Sequence, residues 1–337
     1  MQQGFRALAL MGCVVLLAGS PAGAQTLGSV VDTAYVQQAL ARGVAVWDTR
    51  AADAYRKAHI PGAVNLGFVG QVLRDPETED YIPVGHLESL LGAAGIDPFK
   101  EVIVYGPKAD PFVYFAAVTL RYLGGDQPRV YHGGIDDWTA ARQPVIAGAE
   151  KRAAASFKAR PDARWALDTA AVRKKLGAPG TQILDVRAPD EYTGRDIRAL
   201  RGGHIPGAVN IPYERNWKDP AAPGKLARRE VATKAGLDLK SVDELRALYG
   251  KLDPGKETVV YCQSGVRASQ TAEVLKGLGF KDVKVYDASW LGYGNTFDAP
   301  AESVTYFDVA GVSARMRALE SRIEQLEKAL AATRGAK

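Results

Sequence analysis

Short apolar runs alternate along most of this chain with longer stretches of helical spacing. The runs VIVY at 102–105 and TVVY at 258–261 are rich in β-branched residues, and each is followed by a helix-like stretch, 112–123 or 266–278. Short buried strands that alternate with helices are typical of βα units around a parallel sheet. The pattern therefore predicts an α/β fold with helices on both faces of each sheet.

The chain contains two copies of one sequence pattern. The segment HIPGAVN occurs at 59–65 and again at 204–210, and an Asp-x-Arg triplet precedes it in both copies. Two further pairs match: EVIVYG (101–106) with ETVVYC (257–262), and RVYHGG (129–134) with KVYDAS (284–289). Such self-similarity indicates tandem domains. The second copy has extra residues before its HIPGAVN and again before its cysteine.

The repeat also sets the predicted domain boundaries. We place the first domain at 28–148 and the second at 164–300. The linker is placed at 149–163, which is rich in Ala, Lys and Arg and lacks a strand pattern. A length of 337 residues agrees with about two domains.

The end of the chain, 301–337, is predicted to form an amphipathic helix. Its apolar residues alternate spacings of four and three, as in a heptad seam: Val312, Met316, Leu319, Ile323, Leu326 and Leu330. The seam spans fewer than three heptads, and an isolated helix of that length is marginal unless it is packed. Two interpretations stay open: the helix docks on its own domain, or residues 312–330 join copies into a homo-oligomer.

The first 24 residues have the pattern of a secretory signal peptide. Arg6 is their only charged side chain, 7–17 is almost wholly apolar, and small residues precede Gln25. The apolar core is shorter than the roughly 20 residues of a spanning helix. We expect cleavage near Ala24/Gln25, export to the periplasm and no stable membrane insertion afterwards. Cys13 lies in a lipoprotein-like LMGC, but the apolar run continues beyond it, so lipidation is not expected.

The charge distribution argues against some classes of protein, and the cysteine count singles out one thiol. The net charge of +5 is spread among interspersed acidic residues without a Lys/Arg run, so we expect no nucleic-acid partner. Cleavage would remove Cys13 and leave Cys262 as the only cysteine, which excludes an internal disulfide. A lone thiol is either inert packing or a reactive group.

The surroundings of Cys262 favour the reactive alternative. CQSGVR (262–267) occupies a strand-to-helix turn, where loop N–H groups and the helix dipole favour an anion. Gly265 lets the loop curl tightly, and Arg267 adds positive charge. These effects favour the thiolate, which is the nucleophilic form.

The two copies serve as a control for each other. Gly106 stands where the second copy has Cys262, so the first domain is predicted to be catalytically inactive. Features present in both copies are expected to support the fold first. These are the pairs His59/His204, Asp48/Asp185 and Arg50/Arg187, among which Asp185 and Arg187 could also orient the loop.

Taken together, these motifs resemble the rhodanese family over roughly residues 30–295: Asp-x-Arg after a strand, GHIPGAVN, then a Cys-led six-residue loop before a helix. The resemblance implies a doubly covered parallel sheet in each of two tandem domains and a site in the cleft between them. It makes Cys262 the catalytic residue. It also implies that Trp290 walls the cleft or simply packs, and that the sulfur is cradled by Gln263, Ser264, Gly265, Val266 and Arg267.

The resemblance implies a two-step sulfur transfer without a metal or organic cofactor. Cys262 takes sulfur from a small anionic donor, thiosulfate or 3-mercaptopyruvate, and passes it to a thiol, cyanide or a protein. Ser264 stands where thiosulfate enzymes of this type carry a basic residue, which favours mercaptopyruvate. Gln263 and Arg267 look more like single-domain rhodaneses, and Glu191 replaces an arginine of animal enzymes, so the donor stays open.

Basic residues of the second copy's extra stretch are candidates for binding the donor. Arg195 is the first of these, and Arg198 and Arg201 are weaker ones; the alternative is a solvated basic loop.

Two other functions compete with sulfur transfer. A dual-specificity-type phosphatase or arsenate reductase would use a similar cradle, but four residues separate Cys262 from Arg267 and that chemistry uses five. An exported sulfur carrier that depends on a partner is the second alternative.

Overall fold

The computed structural model of the chain describes residues 27–335. The predicted signal peptide at 1–24, with Cys13, lies outside the described residues.

The first half of the chain is built around a five-stranded parallel sheet of order β1-β5-β4-β2-β3. Its elements are β1 (Val30–Val31), α1 (Thr33–Ala41), β2 (Ala45–Asp48), α2 (Ala52–Lys57), β3 (Ala63–Asn65), α3 (Val69–Val72), α4 (Val84–Ala93), β4 (Val102–Tyr105), α5 (Pro111–Tyr122), β5 (Pro128–Tyr131) and α6 (Gly134–Ala140).

The second half repeats this plan around a four-stranded parallel sheet of order β10-β9-β6-β8. Its elements are α7 (Thr169–Arg173), β6 (Thr181–Asp185), α8 (Pro189–Tyr192), β7 (Arg201–His204), β8 (Val209–Asn210), α9 (Ala222–Ala227), α10 (Val242–Leu248), β9 (Glu257–Tyr261), α11 (Val266–Gly277), β10 (Asp282–Val285) and α12 (Ser289–Gly294). Short 3₁₀ turns lie at Ala163–Trp165, Tyr213–Asn216 and Ala235–Leu237.

Both faces of each sheet are buried under helices, as the sequence pattern predicts. In β2, Trp47 packs toward α4 and α5 while Val46 packs toward α1 and α6. In β9, Val260 faces α10 and α11 while Tyr261 faces α7 and α12. Strands buried on both faces explain why runs such as VIVY are continuously apolar. The α/β prediction is therefore confirmed.

The two halves meet along equivalent helices, α5 and α11. Arg121 on α5 donates hydrogen bonds to Glu273 on α11, and both side chains are buried. Each helix follows the loop that leaves the central strand of its own sheet. The loop of the first copy and the loop that begins at Cys262 therefore lie at the same interface.

Residues 149–162 form no helix or strand. They run along the first half, where the amide of Ala155 donates to the Gly92 carbonyl (2.9 Å) and that of Arg160 donates to Leu123 (2.9 Å). This is the stretch in which the sequence places the linker.

The C-terminal segment differs from the predicted single helix over 301–337. A strand, β11 (Glu302–Tyr306), comes first and pairs antiparallel with β7, and only then does α13 (Val309–Gly335) begin. Val304, Thr305 and Tyr306 suit an edge strand better than a helix. The large apolar side chains of α13 are exposed, which argues against a helix docked on its own domain. Within the described residues, no helix is both long and apolar enough to cross a membrane.

Candidate active site

Cys262 follows the last residue of β9 at the centre of the second sheet and opens the loop that enters α11. Its side chain shares a core face with Val260, Ala268 and Ala272, and its exposed fraction is only 1%. The thiol therefore lies at the floor of the site, shielded from bulk water.

The hydroxyl of Ser289 ties the two ends of this loop together. It accepts hydrogen bonds from the backbone amides of Cys262 (3.1 Å) and Gly265 (3.0 Å), and it donates to the Tyr286 carbonyl (2.6 Å). These two amides are therefore engaged by Ser289. The sequence predicts an inward-facing cradle of loop amides. Of these amides, Ser289 does not engage those of residues 263, 264, 266 and 267.

The backbone of Ser289 adopts a left-handed conformation, with φ of 49°. Its counterpart in the first copy is Gly134, with φ of 55°. A non-glycine residue in this region costs about 1–2 kcal/mol, and such outliers cluster at functional sites. Sequence reasoning missed Ser289, although the matched RVYHGG and KVYDAS segments contained a signal: the copy with the cysteine has serine in place of glycine.

Residue 265 must be glycine because its backbone is left-handed and because neighbouring atoms lie where a side chain would be. Its φ is 76°, and a Cβ there would lie 2.7 Å from a carboxylate oxygen of Asp287 and 3.2 Å from a guanidinium nitrogen of Arg74. Arg74 belongs to the first half and forms a buried ion pair with Asp287 (2.8 Å). Burial raises the pKa of Asp287 to about 6, against the effect of Arg74. The first domain thus supplies a charge directly under the loop that begins at Cys262.

Arg267 does not present a free positive charge to the cleft. Its guanidinium donates two hydrogen bonds to Glu191, at 2.7 and 2.8 Å, and Arg198 reaches the same carboxylate at 3.3 Å. Burial lowers the pKa of Arg267, but Glu191 and the nearby Cys262 raise it by more. Burial raises the pKa of Glu191, yet Arg267 holds it below its usual range. The pair is ionised and largely self-neutralised.

A cleft of about 310 Å³ opens above Cys262 between the two halves. Its lining is Pro111, Phe112, Arg198, Tyr213, Glu214, Cys262, Gln263, Ser264, Val266 and Arg267. Pro111 and Phe112 come from the first half, as the interdomain position implies. Burial raises the pKa of Glu214 and also that of Tyr213. Phe112, Tyr213 and Glu214 lack a sequence motif that could have identified them.

Asp185 and Arg187 lie outside the lining of the cleft, in a buried hydrogen-bond network. They form a buried bidentate pair, and Arg187 also donates to the Gly203 carbonyl (2.7 Å). Asp48 and Arg50 repeat this arrangement in the copy without a cysteine, where Arg50 donates to Ala58 (2.7 Å). The network is present in both copies, so it does not depend on the cysteine.

His204 is likewise in a structural position. Its Nδ1 bonds to the Tyr192 carbonyl (2.9 Å), its Nε2 to Glu302 (3.0 Å), and its ring stacks on Tyr192. His59 makes the equivalent Nδ1 contact and stack with Tyr55.

Trp290 and the three arginines that are candidates for binding the donor lie in different environments. Trp290 is buried: its indole donates to the Arg201 carbonyl (3.1 Å) and its amide donates to the Cys262 carbonyl (3.0 Å), so it supports the loop from behind. Arg195 is exposed and pairs with Asp190, away from the cleft lining. Arg201 is buried among backbone carbonyls. Arg198 alone of the three arginines lines the cleft.

The equivalent loop of the first half is closed. A Cβ on Gly106 would lie 2.6 Å from the Thr49 hydroxyl and 3.0 Å from Val113, so even a small side chain is excluded there. Lys108 of this loop pairs with Asp137 and Asp238. The inactivity of the first copy stays a prediction.

Comparison with known proteins identifies the class. The rhodanese-like domain model matches residues 32–141 and 168–296. The chain therefore belongs to the rhodanese family, which confirms the resemblance found in the sequence.

The names of curated relatives narrow the class to sulfurtransferases. The thiosulfate sulfurtransferase of Corynebacterium glutamicum is 34% identical over 261 residues, covering 74% of this chain and 81% of that protein. A Mycobacterium tuberculosis protein named "Putative thiosulfate sulfurtransferase SseA" is 34% identical over 257 residues, covering 73% of this chain and 80% of that protein. This chain is a sulfurtransferase, and persulfide chemistry is general to its family.

Solved structures show the same fold at lower identity. Wild-type EanB superposes with a TM-score of 0.69 at 21% identity, covering 83% of this chain and 70% of that one. The anaerobic ergothioneine biosynthesis enzyme of Chlorobium limicola, in complex with trimethyl histidine, gives 0.67 at 22% identity, covering 81% and 70%. At these identities the likeness concerns the fold alone.

Proposed function

We propose that this chain moves sulfane sulfur from thiosulfate to a thiophilic acceptor through a persulfide on Cys262. The observation that carries the proposal is the position of Cys262 at the head of a glycine-containing loop between β9 and α11, tied at both ends by Ser289. The names of the relatives at 34% identity support thiosulfate as the donor.

In the first step the Cys262 thiolate attacks the outer sulfur of thiosulfate. The S–S bond of the donor breaks, its electron pair leaves with sulfite, and Cys262 carries the persulfide. In the second step an acceptor nucleophile attacks the outer persulfide sulfur, and the electron pair of that S–S bond returns to Cys262 as thiolate. This is covalent catalysis with ping-pong kinetics, balanced without an added oxidant or reductant.

The residues around Cys262 have distinct roles in these steps. The amino end of α11 favours negative charge at the sulfur. Ser289 and Gly265 fix the shape of the loop, and the loop amides that Ser289 does not engage are proposed to stabilise the anionic sulfur. Arg198, half exposed at the cleft, is the side chain best placed to attract the anionic end of the donor.

A second donor, 3-mercaptopyruvate, is favoured by one observation. Ser264 lines the cleft at the position where a basic residue would otherwise contact a sulfonate, and the Arg267 charge is directed to Glu191. With this donor the same attack would release pyruvate.

The acceptor is proposed to be another molecule. Cys262 is the free cysteine of the described residues, so no second thiol in that part of the chain can resolve the persulfide. Cyanide, a small thiol or a protein thiol fits this requirement. A sulfur carrier that depends on a partner would differ only in that it would not accept sulfur from small donors.

Intact mass measurement of the mature protein tests the proposal. We expect a gain of one sulfur atom after thiosulfate, or after 3-mercaptopyruvate if that is the donor, mapping to Cys262 and removed by cyanide. Cys262→Ser is the matched control, since the two side chains are nearly isosteric, and should gain nothing. A gain retained by the Cys262→Ser protein would overturn the mechanism, and no gain from either donor would favour the carrier.

We also propose that the protein is exported and that it self-associates through 312–330. The apolar pattern of 7–17 before small residues supports export, and the exposed apolar side chains of α13 support association. A mature N-terminus at Gln25 in the periplasmic fraction is the expected result for export. An N-terminus at Met1 in the cytosolic fraction would contradict it.

A further inference from the structure

The helix α13 exposes a regular row of large apolar side chains. Met316, Leu319, Ile323, Leu326 and Leu330 are each more than half exposed, although residues of this kind are normally buried. Every residue from 314 to 331 is exposed, so the rest of the described chain does not cover this row. A lone helix gains little stability without a packed apolar face. The row therefore needs an occupant.

The spacing of the row defines a coiled-coil seam. Counting by heptads places Met316, Ile323 and Leu330 at the a positions and Val312, Leu319 and Leu326 at the d positions. The seam is a narrow stripe, because only two of every seven residues belong to it. A partner helix with the same spacing fits such a stripe by knobs-into-holes packing.

The charges that flank the seam specify the partner and its direction. The g positions beside the seam hold Arg315 and Arg322, while the e positions hold Glu320 and Glu327. In a parallel pair of helices, each g residue faces the e residue five positions later on the other helix. Arg315 would then face Glu320 of the second copy, and Arg322 would face Glu327. In an antiparallel pair, Arg would face Arg and Glu would face Glu.

We propose that a second copy of this chain occupies the seam, forming a parallel two-stranded coiled coil over 312–330. This deepens the proposed self-association by fixing its partner, direction and register. Two strands are favoured because the complete central heptad has Ile323 at a, with Leu319 and Leu326 at d. The seam is short, so the dimer dissociates on dilution.

A membrane surface is the competing occupant, and the same residues argue against it. Helices that lie in the bilayer interface have a broad apolar face and a polar face rich in Lys and Arg. Here Glu320 and Glu327 border the stripe along one side and would meet anionic headgroups. The pattern matches a second helix of the same sequence better than a lipid surface.

The oligomeric state of the full mature chain tests the proposal. We expect sedimentation to show twice the mass of one chain at high concentration and one chain mass on dilution. Ile323→Lys should give one chain mass throughout, whereas Gln325→Lys, which adds the same charge outside the seam, should still dimerise. A monomer at all concentrations, or an Ile323→Lys protein that still dimerises, would overturn the proposal. So would a monomer that binds anionic phosphatidylserine vesicles through α13.

Charge reversal and cross-linking test the direction. The double variants Arg315→Glu/Arg322→Glu and Glu320→Arg/Glu327→Arg should each lose the dimer, and an equimolar mixture should restore it. Oxidation of Leu326→Cys should link two chains, because position 326 faces itself only when the helices are parallel and in register. Dimers that fail to cross-link would exclude the parallel register. Sulfur loading of Cys262 in monomeric Ile323→Lys separates failure of this proposal from failure of the proposed function.

Discussion

At the scale of single residues, Ser289 connects loop geometry to chemistry. Its left-handed backbone is strained, and its hydroxyl holds the amides of Cys262 and Gly265. Strain is retained where the surrounding structure uses it. The first copy, which has no cysteine in its equivalent loop, has Gly134 at this position and so avoids the strain.

Two substitutions separate the strain from the hydroxyl. Ser289→Ala removes the hydrogen bonds and keeps the strain, while Ser289→Gly removes both. We expect persulfide formation to slow about tenfold or more in each, and the glycine variant to be more stable than the alanine variant by about 1 kcal/mol. Single-turnover kinetics and denaturant unfolding measure the two effects. Equal activity in the wild type and both variants would remove Ser289 from the site.

Glu191 controls how much positive charge the cleft presents. It holds both Arg267 and Arg198, so Glu191→Gln should leave the cleft one charge more positive. We expect the KM for thiosulfate to fall several-fold at low ionic strength, with the gain lost at high salt. Stability should fall by roughly 1–3 kcal/mol, because Arg267 loses a charged partner.

Asp190→Asn is the matched control for this prediction. It removes the same charge one residue away, but Asp190 is exposed and pairs with Arg195 outside the cleft lining. Its KM should stay close to that of the wild type. An equal fall in KM for both variants would point to long-range charge rather than to Glu191 itself.

The sequence predicted the strand-to-helix turn that carries Cys262 but not the residues that contact it. The loop 262–267 lies where a strand-to-helix turn had to be, and the repeat separated Cys262 from the shared His and Asp-x-Arg motifs. Ser289, Glu191 and Arg74 act on this loop from 24 to 191 positions away in the chain. The contacts of Ser289 and Glu191 depend on how distant segments of the second half pack, and that of Arg74 depends on how the two halves dock. A local pattern contains no information about either.

At the scale of elements, the packing of α5 against α11 fixes the two halves. The side chains of Arg121 and Glu273 are buried within this helix pair, so each charge is stabilised mainly by the other. Ser29 adds a further hydrogen bond to Glu273. Because α11 begins at the active loop, the interface also sets where that loop lies.

Removing one member of this pair should be more harmful than removing both. We expect Arg121→Met or Glu273→Gln alone to lower the free energy of unfolding by about 3–5 kcal/mol. The double variant should lose clearly less than the sum, since no unpaired charge remains. Denaturant titrations of the four proteins form the cycle. Strictly additive losses would show that the two side chains do not interact.

The elements themselves differ in how well sequence predicts them. Long βα units such as β4–α5 and β9–α11 follow directly from apolar runs and helical spacing. The strand β11 was missed because its edge pairing with β7 decides its conformation, whereas the heptad pattern begins only a few residues later. Edge strands bury one side at most, so their pattern is weak.

At the scale of the whole molecule, the first half contributes to the cleft at Cys262 in the second half. Arg74 reaches across the interface to Asp287, directly beneath Gly265. Phe112 and Pro111 form the opposite wall of the cleft. The first domain has no thiol in its own loop, yet it supplies a charge and an apolar surface to the second.

The Asp287 carboxyl gives this contact a pH dependence. Burial raises its folded-state pKa to about 6, above the ordinary 3.8, with Asp80 and Glu79 acting in the same direction. The folded state therefore binds more protons than the unfolded state between about pH 4 and pH 6, and stability contributed by this group falls as pH rises through that window. The fall amounts to at most about 3 kcal/mol.

Asp287→Asn should remove this part of the pH dependence. We expect the free energy of unfolding of the variant to change less between about pH 4 and pH 6 than that of the wild type. Its stability at pH 7 should be at least that of the wild type, because the neutral amide, like the protonated carboxyl, avoids a buried negative charge that Arg74 only partly offsets. Denaturant unfolding at a series of pH values measures both effects. An unchanged pH profile would show that Asp287 does not titrate in this window.

The solitary thiol at 262 has a consequence for oxidative damage. An oxidant that reaches Cys262 would convert it to a sulfenic acid, and the described chain offers no neighbouring thiol to trap that state as a disulfide. Rescue would then require a small thiol from outside, the same kind of molecule that can collect the transferred sulfur. Repair and turnover would therefore draw on one pool of reductant.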